Sequence, residues 1–218
     1  MNREIRRQMF ARVDIYPVTC EHLSGGRSNM EVLEEILKGG ARIVQLREKE
    51  YSRRALYEMA IHFRRRTASE GVLFIINDHL DIALAVEADG VHLGQDDLPV
   101  AVARKLAPEL LIGASSHSLE QALQAQQEGA DYVNIGPIFP TGTKKGLKSF
   151  LGPDAIETIG SRLDVPFTVM GGINEANLDE VLRRGARRVA MISAITRAKD
   201  IAATVRLLRE RILRQSAP

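Results

Sequence analysis

Five short polar motifs hold most of the reactive side chains of this chain: Gln45-Leu46-Arg47-Glu48-Lys49, Asn77-Asp78, Gln95-Asp96-Asp97, Thr141-Gly142-Thr143-Lys144 and Gly171-Gly172, each just after a short apolar run. Magnesium keeps several waters and is commonly held by one or two carboxylates together with phosphate oxygens. Asp78 and Asp97 are such a pair, with Asp96 beside the second as a substitute. Either acid alone would read as a helix cap, whereas the pair beside phosphate-binding groups reads as a metal site. Arg47 and Lys49, two residues apart, point to the same side of an extended segment, and Gln45 joins them two positions earlier. A guanidinium forks onto phosphate oxygens and an ammonium adds a compact charge, which together suit a diphosphate. Gln45 can hydrogen-bond a heterocycle, while Glu48 faces the other way, where it would pair with a base. The motifs predict an enzyme acting on a phosphorylated, and more specifically a diphosphorylated, substrate.

Further groups extend this set. The stretch Ile138-Phe139-Pro140-Thr141-Gly142-Thr143-Lys144 offers two hydroxyls, a glycine and a cation to an anion. It lacks the GK[ST] ending of a nucleotide-binding P-loop. Gly171-Gly172 and Ile192-Ser193 can bind a phosphate through backbone amides. His117, in Gly113-Ala114-Ser115-Ser116-His117, can serve as an acid, a base or a hydrogen-bonding support. His22, His62, His79 and His92 lack paired metal-ligand spacing, which predicts structural roles. Cys20 has no partner for an internal disulfide and no nucleophile motif around it, so it reads as structural and fits a reducing compartment.

Positioning these motifs requires a strand before each. Candidate strands fall at Ile15–Val18, Ile43–Leu46, Leu73–Ile76, Gly90–Leu93, Leu110–Gly113, Tyr132–Ile135, Pro166–Met170 and Arg188–Ile192. All are short, apolar and rich in Val and Ile, as strands buried on both faces are. Between them run helical stripes such as Met30, Leu33, Ile36 and Leu37, or Leu119, Ala122 and Leu123. Helices pass into strands through Gly39-Gly40-Ala41, Ala88-Asp89-Gly90, Gly129-Ala130-Asp131 and Gly185-Ala186-Arg187, small residues suited to a helix C-cap. Eight units of about 27 residues each give a (β/α)8 barrel, an α/β fold in which the motifs gather at the C-terminal ends of the strands. The prediction is one domain over residues 1–218 with a short N-terminal helical extension.

Composition narrows the function classes. The 218 residues include 44% hydrophobic and 27% charged residues, enough core and too much order-promoting content for a disordered chain. Thirty Lys and Arg against 28 Asp and Glu leave +2, and aromatics are 5% with no Trp, which argues against a nucleic-acid binder. Basic clusters such as Arg53-Arg54, Arg64-Arg65-Arg66, Arg183-Arg184 and Arg187-Arg188 lie on or beside predicted helices and read as solvated outer faces. No apolar run approaches a membrane span, and the N-terminus has no apolar signal core. The expectation is a cytoplasmic protein with small-molecule partners and neither nucleic acid nor membrane, for which assembly into a homo-oligomer stays open.

Taken in order, Gln45-Leu46-Arg47-Glu48-Lys49, Asn77-Asp78, Asp89-Gly90-Val91-His92-Leu93-Gly94-Gln95-Asp96-Asp97, Gly113-Ala114-Ser115-Ser116-His117, Gly136-Pro137-Ile138-Phe139-Pro140-Thr141-Gly142-Thr143-Lys144, Gly171-Gly172-Ile173 and Ile192-Ser193-Ala194-Ile195 closely resemble the thiamine-phosphate synthase family. The resemblance runs from about Ile15 to Ile195. It implies a transferase that joins hydroxymethylpyrimidine diphosphate to a thiazole phosphate, or to its carboxylated form, and releases diphosphate. It also implies that Gln45, Leu46, Arg47, Glu48, Lys49, Asn77, Ser115 and Lys144 bind the pyrimidine diphosphate, with Arg47, Lys49, Ser115 and Lys144 catalytic. On the same resemblance Asp78 and Asp97 hold Mg2+, and Thr141, Gly142, Thr143, Gly172, Ile192 and Ser193 receive the thiazole phosphate. Two alternatives are a thiazole tautomerase-like paralogue, for which His117 would matter most, and a noncatalytic thiamine-phosphate-binding barrel.

Overall fold

Strand residues with apolar side chains on both faces close on themselves into a barrel. The computed structural model describes residues 1–142 and 149–216. Its strands are β1 (Ile15–Thr19), β2 (Ile43–Leu46), β3 (Leu73–Asn77), β4 (Gly90–Leu93), β5 (Leu111–Ser116), β6 (Tyr132–Ile135), β7 (Phe167–Val169) and β8 (Val189–Met191). They pair in parallel in sequence order, and β1 returns to β8 through Ile15↔Val189, Tyr16↔Ala190 and Pro17↔Met191. The helices are α1 (Arg3–Ala11), α2 (Asn29–Lys38), α3 (Arg53–Ser69), α4 (Leu80–Ala85), α5 (Val100–Leu106), α6 (Leu119–Gln127), α7 (Asp154–Gly160), α8 (Leu178–Arg183), α9 (Ser193–Thr196) and α10 (Ile201–Ser216). This is the (β/α)8 barrel, with α1 as its N-terminal extension. Among the described residues no helix is long and apolar enough to cross a membrane.

The two-residue period of each strand sorts its side chains into two layers. Val44, Leu46, Phe74, Ile76, Val91, Leu93, Ile112 and Val133 turn outward and pack under the helices, joined by Leu33 and Ile36 of α2 and Phe63 of α3. Tyr16, Val18, Ile43, Leu73, Ile75, Leu111 and Tyr132 turn inward and fill the barrel. β5 is longer at its C-terminal end than its apolar run suggested, because Ser115↔Asn134 and Ser116↔Ile135 keep it paired to β6. Ser115 therefore sits on a strand and not on a loop. Gly90 likewise belongs to β4, where a Cβ would lie 2.5 Å from the Leu111 carbonyl oxygen.

The N-terminal end of the barrel is closed by α1. Its first turn is capped by Asn2, which accepts from the Ile5 N–H at 2.9 Å, and its last turn lays Phe10 against Tyr132 with ring centroids 4.3 Å apart. Three buried acids stand at strand entrances and accept backbone N–H groups there: Asp14 from Ile15, Asp89 from Phe74 and Asp131 from Ile112. Their charges are met by Arg209, Arg64 and Arg104, at 2.9, 2.6 and 2.5 Å. The solvated-face reading of the basic clusters is thus corrected for Arg64, which is paired with Asp89, and for Arg188, which reaches the carbonyls of Phe10 and Ala11. A buried acid draws an arginine inward because leaving it unpaired costs more than ordering the long side chain.

Candidate active site

At the opposite end, the strands' C-terminal ends surround a cavity of about 960 Å³. Gln45, Arg47 and Lys49 all line it, as their two-residue spacing predicts. Arg47 places Nη1 3.4 Å from Cys20 Sγ and has no carboxylate in ion-pair range among the described residues, so its charge is available to a bound anion. Leu46 and Glu48, expected to bind the pyrimidine diphosphate, belong to the other face, and their side chains do not line the cavity. Leu46 is fully buried in the outer apolar layer. Glu48, 6% exposed, pairs with no base among the described residues but accepts from the Glu21 N–H at 2.7 Å and from Asn29 Nδ2 at 2.8 Å.

Asp78 follows β3 in a left-handed backbone conformation, φ 63°, held by its N–H on the His92 carbonyl at 2.8 Å. A non-glycine residue there is uncommon and is kept by its surroundings. Its carboxylate is paired with the Lys49 ammonium. Asp97 accepts from the Gly94 N–H at 2.6 Å, and its acidity is weakened by burial first and by its hydrogen bond with Asp78 second. The strand order makes these two acids neighbours, and Asp96 and Asn77 line the same wall.

Ser115 lines the cavity from β5, with Oγ 2.9 Å from His92 Nε2, while its carbonyl accepts from Gln95 Nε2 at 2.6 Å. His117 also lines the cavity. Its Nδ1 lies 2.5 Å from the Gly136 carbonyl, and since a carbonyl only accepts, that nitrogen carries the hydrogen. On the far wall Thr141, Gly142, Gly172, Ile192 and Ser193 line the cavity together, the last at the start of α9. Thr143 and Lys144 lie outside the described residues. Gly172, at φ 65°, leaves no room for a side chain: a Cβ would meet the Pro140 carbonyl oxygen at 2.5 Å. The 138–142 loop rests on this glycine turn through Ile138 N–H to Met170 O and Phe139 N–H to Gly171 O, both at 2.9 Å.

Several lining residues escaped sequence reasoning. Tyr16 and His92 form part of the cavity floor, and Asn134 accepts from Thr168 Oγ1 at 2.8 Å beside them. Burial pushes the His92 imidazole down to about 4, so it is neutral, and it raises the Tyr16 and Tyr132 hydroxyls above their ordinary range. The signal for His92 was its place between Gly90 and Gly94, on the inward period of β4. His22 Nδ1 lies 3.2 Å from Cys20 Sγ, and burial, the largest influence, raises the Cys20 thiol's pKa and so leaves it inert.

The sequence pattern of the thiamine monophosphate synthase family matches residues 15–195 of this chain. The thiamine-phosphate synthase of Chloroflexus aurantiacus is 47% identical over 195 residues, covering 89% of this chain and 90% of that one. The thiamine-phosphate synthase of Pelotomaculum thermopropionicum is 45% identical over 203 residues, 93% of each chain. The thiamine phosphate pyrophosphorylase structure from Pyrococcus furiosus superposes with a TM-score of 0.87 at 36% identity, over 98% of this chain and 100% of that one.

Proposed function

This chain belongs to the thiamine monophosphate synthase family and is a transferase acting on small phosphorylated molecules, and we propose that its cavity makes thiamine phosphate by letting diphosphate depart from a pyrimidine before a thiazole attacks. The observation that carries this reading is the convergence of Gln45, Arg47, Lys49, Asp78 and Asp97 on one side of the mouth, facing Thr141, Gly172 and Ser193 on the other. One side suits a heterocycle bearing a diphosphate, the other a single phosphate.

Departure of diphosphate from a benzylic-like carbon leaves a cation that an electron-rich aminopyrimidine stabilises. The protein's task is then to neutralise the leaving charge, which Arg47 does as a preorganised cation, joined by Lys49 once it leaves Asp78 and by Lys144 on the strength of its motif. Asp78 and Asp97 fit a divalent cation: two carboxylates line one wall of the cavity, burial and the neighbouring Asp78 raise the pKa of Asp97, and Asp78 already holds the Lys49 ammonium as a cation. These two carboxylates would hold Mg2+, which when bound supplies further positive charge to the diphosphate oxygens. Ser193 and Gly172 hold the thiazole phosphate so that the ring nitrogen is in line with the carbon, a matter of proximity with no protein nucleophile.

The test is to incubate the protein with both substrates and Mg2+ and to assay thiamine phosphate and thiazole tautomerisation in parallel. Lys144→Ala should cost on the order of a hundredfold in turnover, the scale of one lost electrostatic donor, and His117→Ala should cost less. A dominant His117 effect on proton transfer, with Lys144 dispensable, would select the tautomerase alternative.

A further inference from the structure

Beneath the cavity an unbroken chain of hydrogen bonds crosses the barrel. Gln45 Nε2 donates to the Tyr16 hydroxyl at 2.9 Å, Tyr16 meets Tyr132 at 2.9 Å, Tyr132 meets His92 Nδ1 at 3.2 Å, and His92 Nε2 meets Ser115 Oγ at 2.9 Å. Space for it was cleared in the sequence: Gly113 is a glycine because Tyr132 fills its place, and a Cβ there would lie 2.1 Å from the tyrosine ring. Phe10 of α1 stacks on the other side of that ring and holds it.

The chain has a direction. A side-chain NH2 only donates, so Tyr16 accepts from Gln45, and giving its own hydrogen to Tyr132 is the arrangement that leaves no buried hydroxyl hydrogen without an acceptor. Tyr132 then gives its hydrogen to His92. A neutral imidazole has one N–H and one lone pair, so with Nδ1 accepting, Nε2 donates to Ser115. Both ends open on the cavity. At one end Gln45 has committed its nitrogen to the floor and no donor among the described residues reaches its Oε1, so it presents an acceptor. At the other end the Ser115 hydroxyl accepts from His92 and keeps its own hydrogen free, so it presents a donor.

Resting on the function proposed above, we propose that Tyr16, Tyr132 and His92 are positioning residues that fix this polarity, so that Gln45 accepts from an N–H on the pyrimidine while Ser115 donates to the substrate's anionic oxygens. The three do not touch the reacting atoms. Their effect is to make the floor select a heterocycle with an amine opposite Gln45 and to reject one with a carbonyl there, since two acceptors would then face each other. Reversing every bond would require the Gln45 amide to turn over and would offer an acceptor to the anion at Ser115, which the negative charge of the substrate disfavours.

The experiment compares two unreactive ligands, an aminopyrimidine methyl diphosphate with methylene in place of the cleaved oxygen and its counterpart with an oxo group replacing the amine. Calorimetry on the wild-type enzyme should show a preference for the amine on the order of a thousandfold, as expected of a site built around a substrate N–H. Tyr16→Phe and Tyr132→Phe should each reduce that preference by about tenfold or more while leaving thiazole phosphate affinity unchanged. Leu73→Ala, which loosens the same interior without touching the chain, should retain the preference even as it lowers stability. Folded tyrosine variants that keep the full preference, or a thiamine phosphate-forming wild type that binds both ligands alike, overturn the proposal. A wild type that forms no thiamine phosphate overturns the function on which it rests, and this inference with it.

Discussion

On the function proposed above, Asp78 and Lys49 are single side chains placed against their own preferences where the chemistry would need them. Asp78 occupies a left-handed conformation with only 11% of its side chain exposed, and its charge is met by a lysine that is half exposed. The ammonium offsets the acid here; on the function proposed above, a cation taken up by Asp78 would free Lys49 to turn to the phosphates. Asp78→Ala and Asp97→Ala should therefore each lower turnover by about a hundredfold or more at limiting magnesium, the scale of removing a preorganised electrostatic group. Steady-state rates across a magnesium titration check this, and undiminished activity in both variants would falsify the metal assignment. Magnesium binding should weaken as pH falls, because burial and its neighbour raise the proton affinity of Asp97 and acid then competes with the metal.

Loop and strand geometry decide how the wall proposed to take the thiazole phosphate is built. Gly172 is hemmed in by Pro140 and Phe139, so the glycine turn after β7 and the 138–142 loop after β6 form one packed unit. Gly172→Val places a branched side chain at positive φ and into the Pro140 carbonyl, which should shift that loop and weaken thiazole phosphate binding about tenfold or more while sparing the pyrimidine diphosphate. Calorimetry with each ligand separately tests the division; equal weakening of both would contradict it. The strands themselves were readable in the sequence because their period-two burial leaves short Val- and Ile-rich runs, and so were Gln45, Arg47 and Lys49, which share one parity on an extended segment. The facing of Glu48 was legible too, but its partners Glu21 and Asn29 were not, being distant in sequence. His92 and Tyr132 were missed for a related reason: inside a barrel a polar residue on the inward parity looks like an interruption of an apolar strand. Only the assembled interior shows that Tyr16, Gln45 and Ser115 complete its hydrogen bonds.

At the scale of the whole molecule, the barrel is a plugged cup whose base is sealed by α1 and whose floor is a buried polar layer, so site geometry and global stability share the same residues. The consequence is measurable through His92. Its imidazole is buried at the cavity floor with no ion-pair partner among the described residues, and burial, opposed in part by the charge of Asp97, lowers it from an ordinary value of 6.5 to about 4. Between those values the unfolded chain binds a proton that the folded chain refuses, so stability from this group is fully present above about pH 6.5 and is lost as pH falls toward 4. At about 1.4 kcal/mol per unit the loss is on the order of 3 kcal/mol, a large part of a domain's net stability. His79, which burial also lowers, adds a smaller loss of the same sign, whereas Asp97, raised by burial, works in the opposite direction as acid protonates it. The comparison that isolates His92 is therefore the slope of unfolding free energy against pH, measured by urea denaturation from pH 7 to 4.5 in wild type and His92→Gln. The variant should start less stable at pH 7, having lost the bonds to Tyr132 and Ser115, but should fall less steeply, and the two curves should converge toward acid. Parallel curves would mean that the floor admits a proton at no cost, and the hydrogen-bond direction assigned to a neutral His92 would fail with them.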